Sequence, residues 1–293
     1  MQLYKTRTGI CTTDFDTMPA EELFKTIHSL GYSVVQFSFA SVSETGFSVT
    51  GQHELPGMVD ERAISAINNA SAKYGVEIAA VNGTFNMAHP DNAVRDEGIR
   101  RFEPFLRAVK ALGAHYATLC SGTRQRENLW HWHEDNGGTD AWEDMSGTMR
   151  RAVSIAEKYD ITLAVETEAA NIISTPERAR SLLDEIGSPK LKMIMDCANL
   201  FAEGTARREN VRDMITHAFQ LFGRDVVIAH GKDIREGGGI DFCAAGLGIV
   251  DFPLMRTLLH KYGFEGDMFL HGIYDVSDMR RARQFWENTA EEI

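Results

Sequence analysis

Four apolar runs in the second half of the chain each carry a metal-ligand type of residue at or near their end. They lie at residues 163–168, 192–196, 226–230 and 267–271. Their ligand-type residues are Glu166, Asp196, His230 and His271, at intervals of 30, 34 and 41 residues. An interval of this size accommodates one strand, one helix and their connections. The repetition therefore predicts parallel strands that deliver these side chains to one rim of a barrel.

The rest of the chain continues this alternation of strand and helix patterns. Further strands are expected at 7–12, 34–39, 76–81 and 115–120, and helices at 20–30, 60–74, 93–112, 141–159, 176–186, 209–222, 252–262 and 278–292. About eight strand–helix units in 293 residues, 43% of them hydrophobic, predict an α/β fold, a (β/α)8 TIM barrel. Because no Pro-rich linker or composition break occurs, we expect a single domain over residues 1–293.

The four ligand-type residues predict a shared metal site. Any one of them could instead be a strand-end cap or a hydrogen-bonded polar group. The presence of one such residue on each of four strands, however, favours a single shared site. Glu166, Asp196, His230 and His271 together offer oxygen and nitrogen donors, which suit a first-row divalent metal.

A long loop after the fourth predicted strand is rich in aromatic and histidine residues. Trp130 and Trp132 could stack on the apolar face of a sugar ring; the alternative is a hydrophobic lid or a contact between subunits of a homo-oligomer. His131 and His133 are two residues apart, and we expect them to contact substrate or transfer a proton rather than bind a second metal. The glycines at 237–239 and 246–248 predict a flexible rim loop without a dinucleotide-binding fingerprint.

Charge and hydropathy narrow the choice of partners. The formal net charge is −12, whereas nucleic-acid binding relies on basic patches, so no nucleic-acid partner is expected. No apolar run reaches the length of a membrane span, and residues 1–7 lack the apolar stretch of a signal peptide. We therefore expect a cytoplasmic protein with no membrane association.

Over nearly its whole length the sequence resembles the xylose isomerase-like TIM-barrel superfamily, and more narrowly its sugar phosphate isomerases/epimerases. The matching segments are 83–91, 121–124, 130–133, 165–168, 196–200 and 230–233. Within or beside the rim, the residues expected to contact a small carbohydrate substrate are His89, Arg124, Trp130, Trp132, Glu168 and Asn199.

The resemblance implies a specific metal chemistry. Ketose epimerases of this superfamily hold a divalent metal, often manganese or cobalt, with Glu, Asp, His and a second Glu, and both Glu residues shuttle a proton. Three of these ligands carry over to Glu166, Asp196 and His230, whereas the fourth position is His271. We therefore expect one divalent metal, with manganese first and cobalt, zinc, iron or magnesium as alternatives. A coordinated histidine cannot take up a proton through the same nitrogen, which argues against a two-carboxylate shuttle.

These expectations lead to a sugar isomerase or epimerase that acts on a keto-sugar or its derivative through a metal-stabilised enediolate. Glu166 is the expected ligand and base, and Lys232, His131 and His133 are the expected proton-handling or hydroxyl-binding groups. Three alternatives remain. One is a lyase that cleaves 3-oxo-glycosides by β-elimination, as other members of the superfamily do. Another is a non-catalytic sugar-binding barrel, and the third is an endonuclease for abasic DNA, which the acidic charge disfavours.

Overall fold

Eight parallel strands close into a barrel in the computed structural model, which describes residues 6–290. The described residues form these eight barrel strands and one additional short strand, β8. In chain order the nine are β1 (Thr8–Cys11), β2 (Val34–Phe37), β3 (Glu77–Asn82), β4 (Tyr116–Leu119), β5 (Thr162–Glu166), β6 (Leu191–Asp196), β7 (Val226–Ile234), β8 (Phe242–Ala244) and β9 (Asp267–Leu270). Neighbours pair in chain order from β1 to β7, and β9 closes the barrel between β7 and β1. β8 is an addition to the edge of β7 and pairs with it antiparallel.

Eight helices surround the described strands. They are α1 (Ala20–Ser29), α2 (Glu61–Tyr74), α3 (Asn92–Ala111), α4 (Thr139–Tyr159), α5 (Pro176–Ile186), α6 (Arg208–Phe222), α7 (Phe252–Lys261) and α8 (Val276–Asn288). α5 shows why such segments start and stop: the Thr175 hydroxyl accepts the Arg178 N–H, Pro176 opens the helix, and Gly187 ends it at φ 65°. No helix within residues 6–290 combines the length and apolar content that crossing a bilayer requires.

The predicted (β/α)8 barrel is confirmed, with two local differences. The last helix was expected over 278–292, but it ends at Asn288, and residues 291–292 lie outside the described range. The loop expected between 237 and 248 instead contains β8, because β7 continues past His230 to Ile234 and offers its edge to a hairpin partner.

Strand geometry explains why the ligand-type residues share one rim. Successive side chains of a strand alternate between its two faces, so residues two apart share a face. Ala164, Ile194, Ile228 and Phe269 form one buried cluster inside the barrel. Each lies two residues before a ligand-type residue, namely Glu166, Asp196, His230 and His271. Apolar side chains therefore fill the barrel interior, and the polar ligand-type side chains lie one layer closer to the carboxyl ends of the strands.

The first prediction concerns the packing of α3 against the barrel. A Cβ added at Gly98 would lie 2.1 Å from Cδ2 of the buried Phe85 ring. We therefore expect Gly98→Ala to lower the free energy of unfolding by roughly 1–2 kcal/mol, because overpacking exceeds the gain in helix propensity. Gly147 in α4 has open space around its Cα, so Gly147→Ala should raise stability slightly. Chemical denaturation of both variants measures this, and equal changes would contradict the packing argument.

Candidate functional site

The carboxyl ends of the barrel strands surround a cavity of about 340 Å³. Strands β2, β3, β5 and β7 and the residue directly after β9 supply much of its polar lining: Gln36, Asn82, Glu166, His230, Lys232 and His271. Segments between strands and helices add Glu54, Trp130, Glu168 and Tyr274. The cavity therefore lies where active sites of (β/α)8 barrels are found, above the carboxyl ends of the strands.

Three of the predicted metal ligands converge beside this cavity, which Glu166 and His230 line and Asp196 does not. One donor atom each from Glu166, Asp196 and His230 lies within 4.8 Å of the other two. Strand register brings them together, since Asp196 on β6 pairs directly with His230 on β7 and Glu166 ends the adjacent β5. All three side chains are buried or nearly so. We call these residues the three-residue cluster.

The imidazole of His230 bridges the cluster and β2. Its Nδ1 lies 3.2 Å from Glu166 Oε1 and 3.6 Å from Asp196 Oδ2, while Nε2 lies 2.9 Å from Gln36 Oε1. Burial disfavours the charged imidazolium, but both carboxylates favour it and raise the pKa of His230 to about 9. When the ring is neutral and Nε2–H donates to Gln36, Nδ1 carries a lone pair that faces the carboxylates and can bind a metal placed between them.

Asp196 has one oxygen whose hydrogen-bonding capacity is unused. Oδ1 accepts the backbone N–H groups of Ala198 and Asn199, but buried Oδ2 accepts no hydrogen bond. Lys232 Nζ lies 3.2 Å from Oδ2 as an ion-pair partner. Burial favours the neutral acid, yet Lys232 and His230 hold the pKa of Asp196 well below its usual range. An ionised oxygen without a hydrogen bond, beside a second carboxylate and an imidazole nitrogen, fits a divalent metal.

Asn199 holds Glu166 in place. Its Nδ2 donates to Glu166 Oε1 over 2.7 Å, and the residue is buried in the turn after β6. The residue is therefore placed against Glu166 and does not line the cavity, so its predicted substrate contact stays a prediction.

The β7–β8 hairpin forms one wall of the cavity. Lys232 Nζ lies 4.1 Å from the centre of the Phe242 ring on β8, and both residues line the cavity. Asp233 holds the returning chain, because its carboxylate accepts four backbone N–H groups, from Ile234, Gly246, Gly248 and Val250. A single side chain thus fixes the wall that carries Phe242.

The second prediction tests this anchoring. Asp233→Asn leaves one oxygen for four N–H donors, so amide exchange of Gly246, Gly248 and Val250 should accelerate about tenfold or more. Asp241→Asn is the matched control, since Asp241 is exposed and contacts Arg235 at the surface. Hydrogen–deuterium exchange with mass spectrometry measures both variants. Unchanged exchange in Asp233→Asn would mean that the strand pairing alone holds the hairpin.

His271 stands beside the three-residue cluster rather than within it. Its ring centre lies 5.5 Å from that of His230, and its Nδ1 lies 3.1 Å from Asp14 Oδ1. The other oxygen of Asp14 accepts the Ile273 N–H over 3.0 Å, so the carboxylate is fixed. The expected role of His271 as fourth ligand stays a prediction, and it would have to act through Nε2 while Nδ1 remains bound to Asp14.

Two further carboxyl groups line the cavity. Burial raises the pKa of Glu168, although the charge of Lys232 opposes the rise. Burial likewise raises the pKa of Glu54, which accepts hydrogen bonds from Asn82 and Trp130. A cavity that collects carboxyl groups with raised pKa values is typical of a functional site.

Seven of the residues predicted for the site do not line the cavity; they are Asp196, Asn199 and five residues outside helices and strands, namely His89, Arg124, His131, Trp132 and His133. His131 and Trp132 are exposed, and His133 accepts the backbone N–H of Asp135. His89 is buried beside the Arg126 carbonyl, and Arg124 pairs with Asp144 at 2.6 Å. Their catalytic or substrate-binding roles stay predictions, and a role for them requires that the substrate extend beyond the cavity or that the loop move.

Sequence reasoning missed four residues of the site: Asp14, Gln36, Glu54 and Asn82. Asn82 ends β3 and Gln36 is the next-to-last residue of β2, so the search for a polar residue at or near the end of an apolar run would have found both. Asp14 and Glu54 lie in connecting segments without a regular pattern. Their position depends on tertiary contacts that no local signal reveals.

Comparison with known proteins places this architecture in a family. The family model described as xylose isomerase-like TIM barrel matches residues 22–288. No curated protein sequence matches the chain. Among solved structures, 3-keto-D-glucoside 4-epimerase YcjR from E. coli is similar at 14% identity, with a TM-score of 0.70 and coverage of 97% of this chain and 99% of that one.

Two other solved structures show the same fold. D-psicose 3-epimerase from Clostridium cellulolyticum H10 is 13% identical, with a TM-score of 0.70 over 98% of this chain and 100% of that one. A xylose isomerase-like TIM barrel protein from Mycobacterium smegmatis, in complex with magnesium, is 12% identical, with a TM-score of 0.70 over 96% and 95%. At such identities these structures support the fold, whereas the family model covers most of the sequence. The chain therefore belongs to the xylose isomerase-like TIM-barrel family.

Proposed function

We propose that this protein is a divalent-metal-dependent sugar isomerase or epimerase that acts on a keto-sugar or a derivative of one. The observation that carries the proposal is the convergence of Glu166, Asp196 and His230 beside a cavity at the carboxyl end of the barrel. Two proteins of the same fold, a 3-keto-D-glucoside 4-epimerase and a D-psicose 3-epimerase, are named for chemistry next to a sugar carbonyl. The cavity volume, about 340 Å³, is adequate for a small carbohydrate.

Glu166, Asp196 and His230 would hold the metal, with His271 as the proposed fourth ligand. A divalent ion there would polarise a substrate carbonyl and stabilise the negative charge that develops when the α-proton leaves. Manganese is our first expectation, with cobalt, zinc, iron or magnesium as alternatives.

The cavity wall offers several groups that can bind hydroxyls or move a proton. Glu166 is the proposed base, and Asn199 fixes the carboxylate so that its direction is set before substrate binds. Lys232 is an ammonium donor for a substrate oxygen, since Asp196 and Glu166 outweigh the effect of burial and raise its pKa. Glu168 adds an acceptor for hydroxyl groups. His131 and His133 retain their proposed proton-handling roles only if the loop closes over the cavity.

A second candidate function is cleavage of 3-oxo-glycosides by β-elimination. The observation that favours it is His271, bound to Asp14, at the position where the resemblance implies a second carboxylate. Elimination needs removal of one proton and departure of a leaving group, and it does not require a proton to be returned on the opposite face. A purely sugar-binding barrel remains the non-enzymatic alternative.

The third prediction tests the proposed function directly. We expect metal-loaded protein in D2O to introduce deuterium next to the carbonyl of at least one member of a panel of ketoses, phosphorylated ketoses and 3-oxo-glycosides. NMR and mass spectrometry distinguish an isomer, an epimer and a released aglycone. Chelator-treated protein is the control, and its activity should return when metal is added.

Two outcomes would contradict the proposal. Absence of exchange and product with every sugar, although the protein binds metal and sugar, would favour the sugar-binding alternative. Equal turnover before and after removal of metal would contradict metal dependence while leaving sugar chemistry in place. Because the chain is acidic, we do not expect binding to abasic DNA, and a DNA-binding measurement in the same buffer tests this expectation.

A further inference from the structure

We propose that Glu54 contacts the substrate and binds its hydroxyl groups on the side of the cavity away from the three-residue cluster. The inference rests on the proposed function in so far as the ligand is a sugar. It assigns a specificity-determining role to a residue that is neither a predicted metal ligand nor part of any strand. The ligand chemistry is that of a polyhydroxylated compound, whose hydroxyl groups donate hydrogen bonds to a carboxylate.

Three hydrogen bonds to two chain segments hold Glu54 at the cavity wall. Its backbone N–H donates to the Thr84 carbonyl over 2.8 Å. Oε2 accepts the Asn82 Nδ2–H over 2.7 Å, and Oε1 accepts the Trp130 Nε1–H over 2.9 Å. The carboxylate is therefore positioned before a ligand arrives, which lowers the entropic cost of using it as a binding group.

The barrel order places this carboxylate across the mouth from the cluster. Asn82, which holds Glu54, ends β3, and His230 lies on β7. β3 and β7 are four strands apart in either direction around the closed eight-stranded barrel. Both Glu54 and His230 nevertheless line the same cavity. A ligand that reaches the cluster with its carbonyl end can therefore reach Glu54 with its hydroxyl-bearing end.

The Glu54 carboxylate forms no ion pair within residues 6–290. No lysine or arginine there forms an ion pair with it, and its two recorded side-chain partners are the neutral Asn82 and Trp130. Burial raises the pKa of this carboxyl, whereas the hydrogen bonds from Asn82 and Trp130 and the charge of His271 oppose the rise. A partly buried carboxylate without a cation is costly and is found preferentially where it binds or reacts.

Acceptor capacity is left over on Glu54 for the ligand. Each carboxylate oxygen can accept about two hydrogen bonds, and each accepts one in this structure. Sugar hydroxyls can supply the remaining donors. Trp130 adds an aromatic ring with 40% exposure at the same wall, and its N–H bond to Glu54 fixes the edge of that ring. Glu54 and Trp130 together offer a charged hydrogen-bond acceptor and an apolar ring face. These match the hydroxyl groups and the apolar C–H face of a sugar.

The competing explanation is that Glu54 only orients Trp130. Two variants separate these roles. Glu54→Gln removes the charge and replaces one acceptor oxygen by an NH2 donor, whereas Trp130→Phe keeps a smaller aromatic face and removes the N–H that bonds to Glu54. Glu127→Gln is the matched control, since Glu127 is exposed on the segment that carries Trp130 and does not line the cavity.

The experiment measures binding without turnover. Ribitol and D-glucitol carry the hydroxyl groups of sugars but no carbonyl, and isothermal titration of the metal-loaded protein with each reports their affinity. We expect Glu54→Gln to weaken binding about tenfold or more, because a hydrogen bond to a charged group is lost. Trp130→Phe should weaken it less, and Glu127→Gln should leave it unchanged. With a substrate from the panel, Glu54→Gln should raise KM more than it lowers kcat.

Three results would overturn the inference. They are wild-type affinity in Glu54→Gln, an equal loss in Trp130→Phe, which would assign Glu54 to positioning alone, and failure of the unmodified protein to bind either polyol. These results are distinguishable from failure of the proposed function. A protein that binds polyols through Glu54 but exchanges no proton with any sugar would refute the enzyme proposal and support the binding role.

Discussion

Replacement of Glu166 by glutamine is expected to lower kcat by about 100-fold or more while changing KM little. Glutamine preserves the size of the side chain but cannot take up a proton, and it removes one anionic donor from the cluster. Its amide can still bond to Asn199, which now donates to Glu166 Oε1 over 2.7 Å. A lower turnover would therefore result from the lost charge and basicity of the Glu166 carboxylate rather than from a rearranged site.

The interpretation of this result depends on whether the Glu166→Gln variant still binds metal. The metal content of the assayed protein preparations is therefore measured by elemental mass spectrometry. Glu143→Gln is the control, because Glu143 is exposed on α4 and does not line the cavity. If the Glu166 variant keeps its metal and retains turnover within about tenfold, which corresponds to about 1.4 kcal/mol in the barrier, Glu166 is not the base. If the metal is lost, the variant supports the ligand role and the base must be tested at constant metal occupancy.

The periodicity of the strands is what made the cluster predictable. An apolar run that ends in Glu166, Asp196 or His230 fixes which face the last side chain occupies, because alternate residues share a face. Parallel strands that share one direction then bring their last residues to one rim. The sequence therefore predicted the convergence of these residues without any knowledge of long-range contacts. The same logic extends to Gln36 and Asn82.

Residues in connecting segments could not be placed in this way. Glu54 reaches the cavity because its N–H bonds to Thr84 and its carboxylate to Asn82 and Trp130. The nearest of these partners, Asn82, is 28 residues from Glu54 and Trp130 is 76 residues away, so no window of residues around Glu54 contains the information. Conversely, His131 and His133 were proposed from a local two-residue spacing, and neither lines the cavity. Local spacing predicts a shared face only where the segment is a regular strand.

The β7–β8 hairpin differs from the sequence-based expectation in a third way. Glycines at 237–239 and 246–248 predicted a flexible rim, and the chain does turn there. However, Asp233 collects four backbone N–H groups and makes the returning segment part of the cavity wall. The glycine content alone predicts that this segment is flexible. One buried carboxylate can nevertheless order it, because buried backbone N–H groups require a hydrogen-bond partner and Asp233 provides one for all four.

Replacement of His271 is expected to separate metal binding from turnover. We expect His271→Gln to retain about one metal per chain but to lower turnover roughly 100-fold, the scale of a lost proton-transfer or substrate-contacting group. The reason is geometric, since the three-residue cluster forms without His271 and Asp14 already binds its Nδ1. Metal analysis after dialysis and assay with the best substrate of the panel provide both quantities. Loss of the metal would show that the other three ligands cannot hold the ion without the proposed fourth one.

The companion variant His271→Glu tests which reaction the site performs. A carboxylate oxygen is an acceptable metal donor, so this variant should keep its metal. It would also supply the second carboxylate that ketose epimerases of the superfamily use, and we expect epimer formation to rise relative to other products. The unmodified protein gives the reference. If it already exchanges solvent deuterium on both faces of one carbon and releases an epimer, a second proton-handling group must be present without Glu at 271. His271 could be that group only if its Nε2 does not bind the metal, because Asp14 holds its Nδ1.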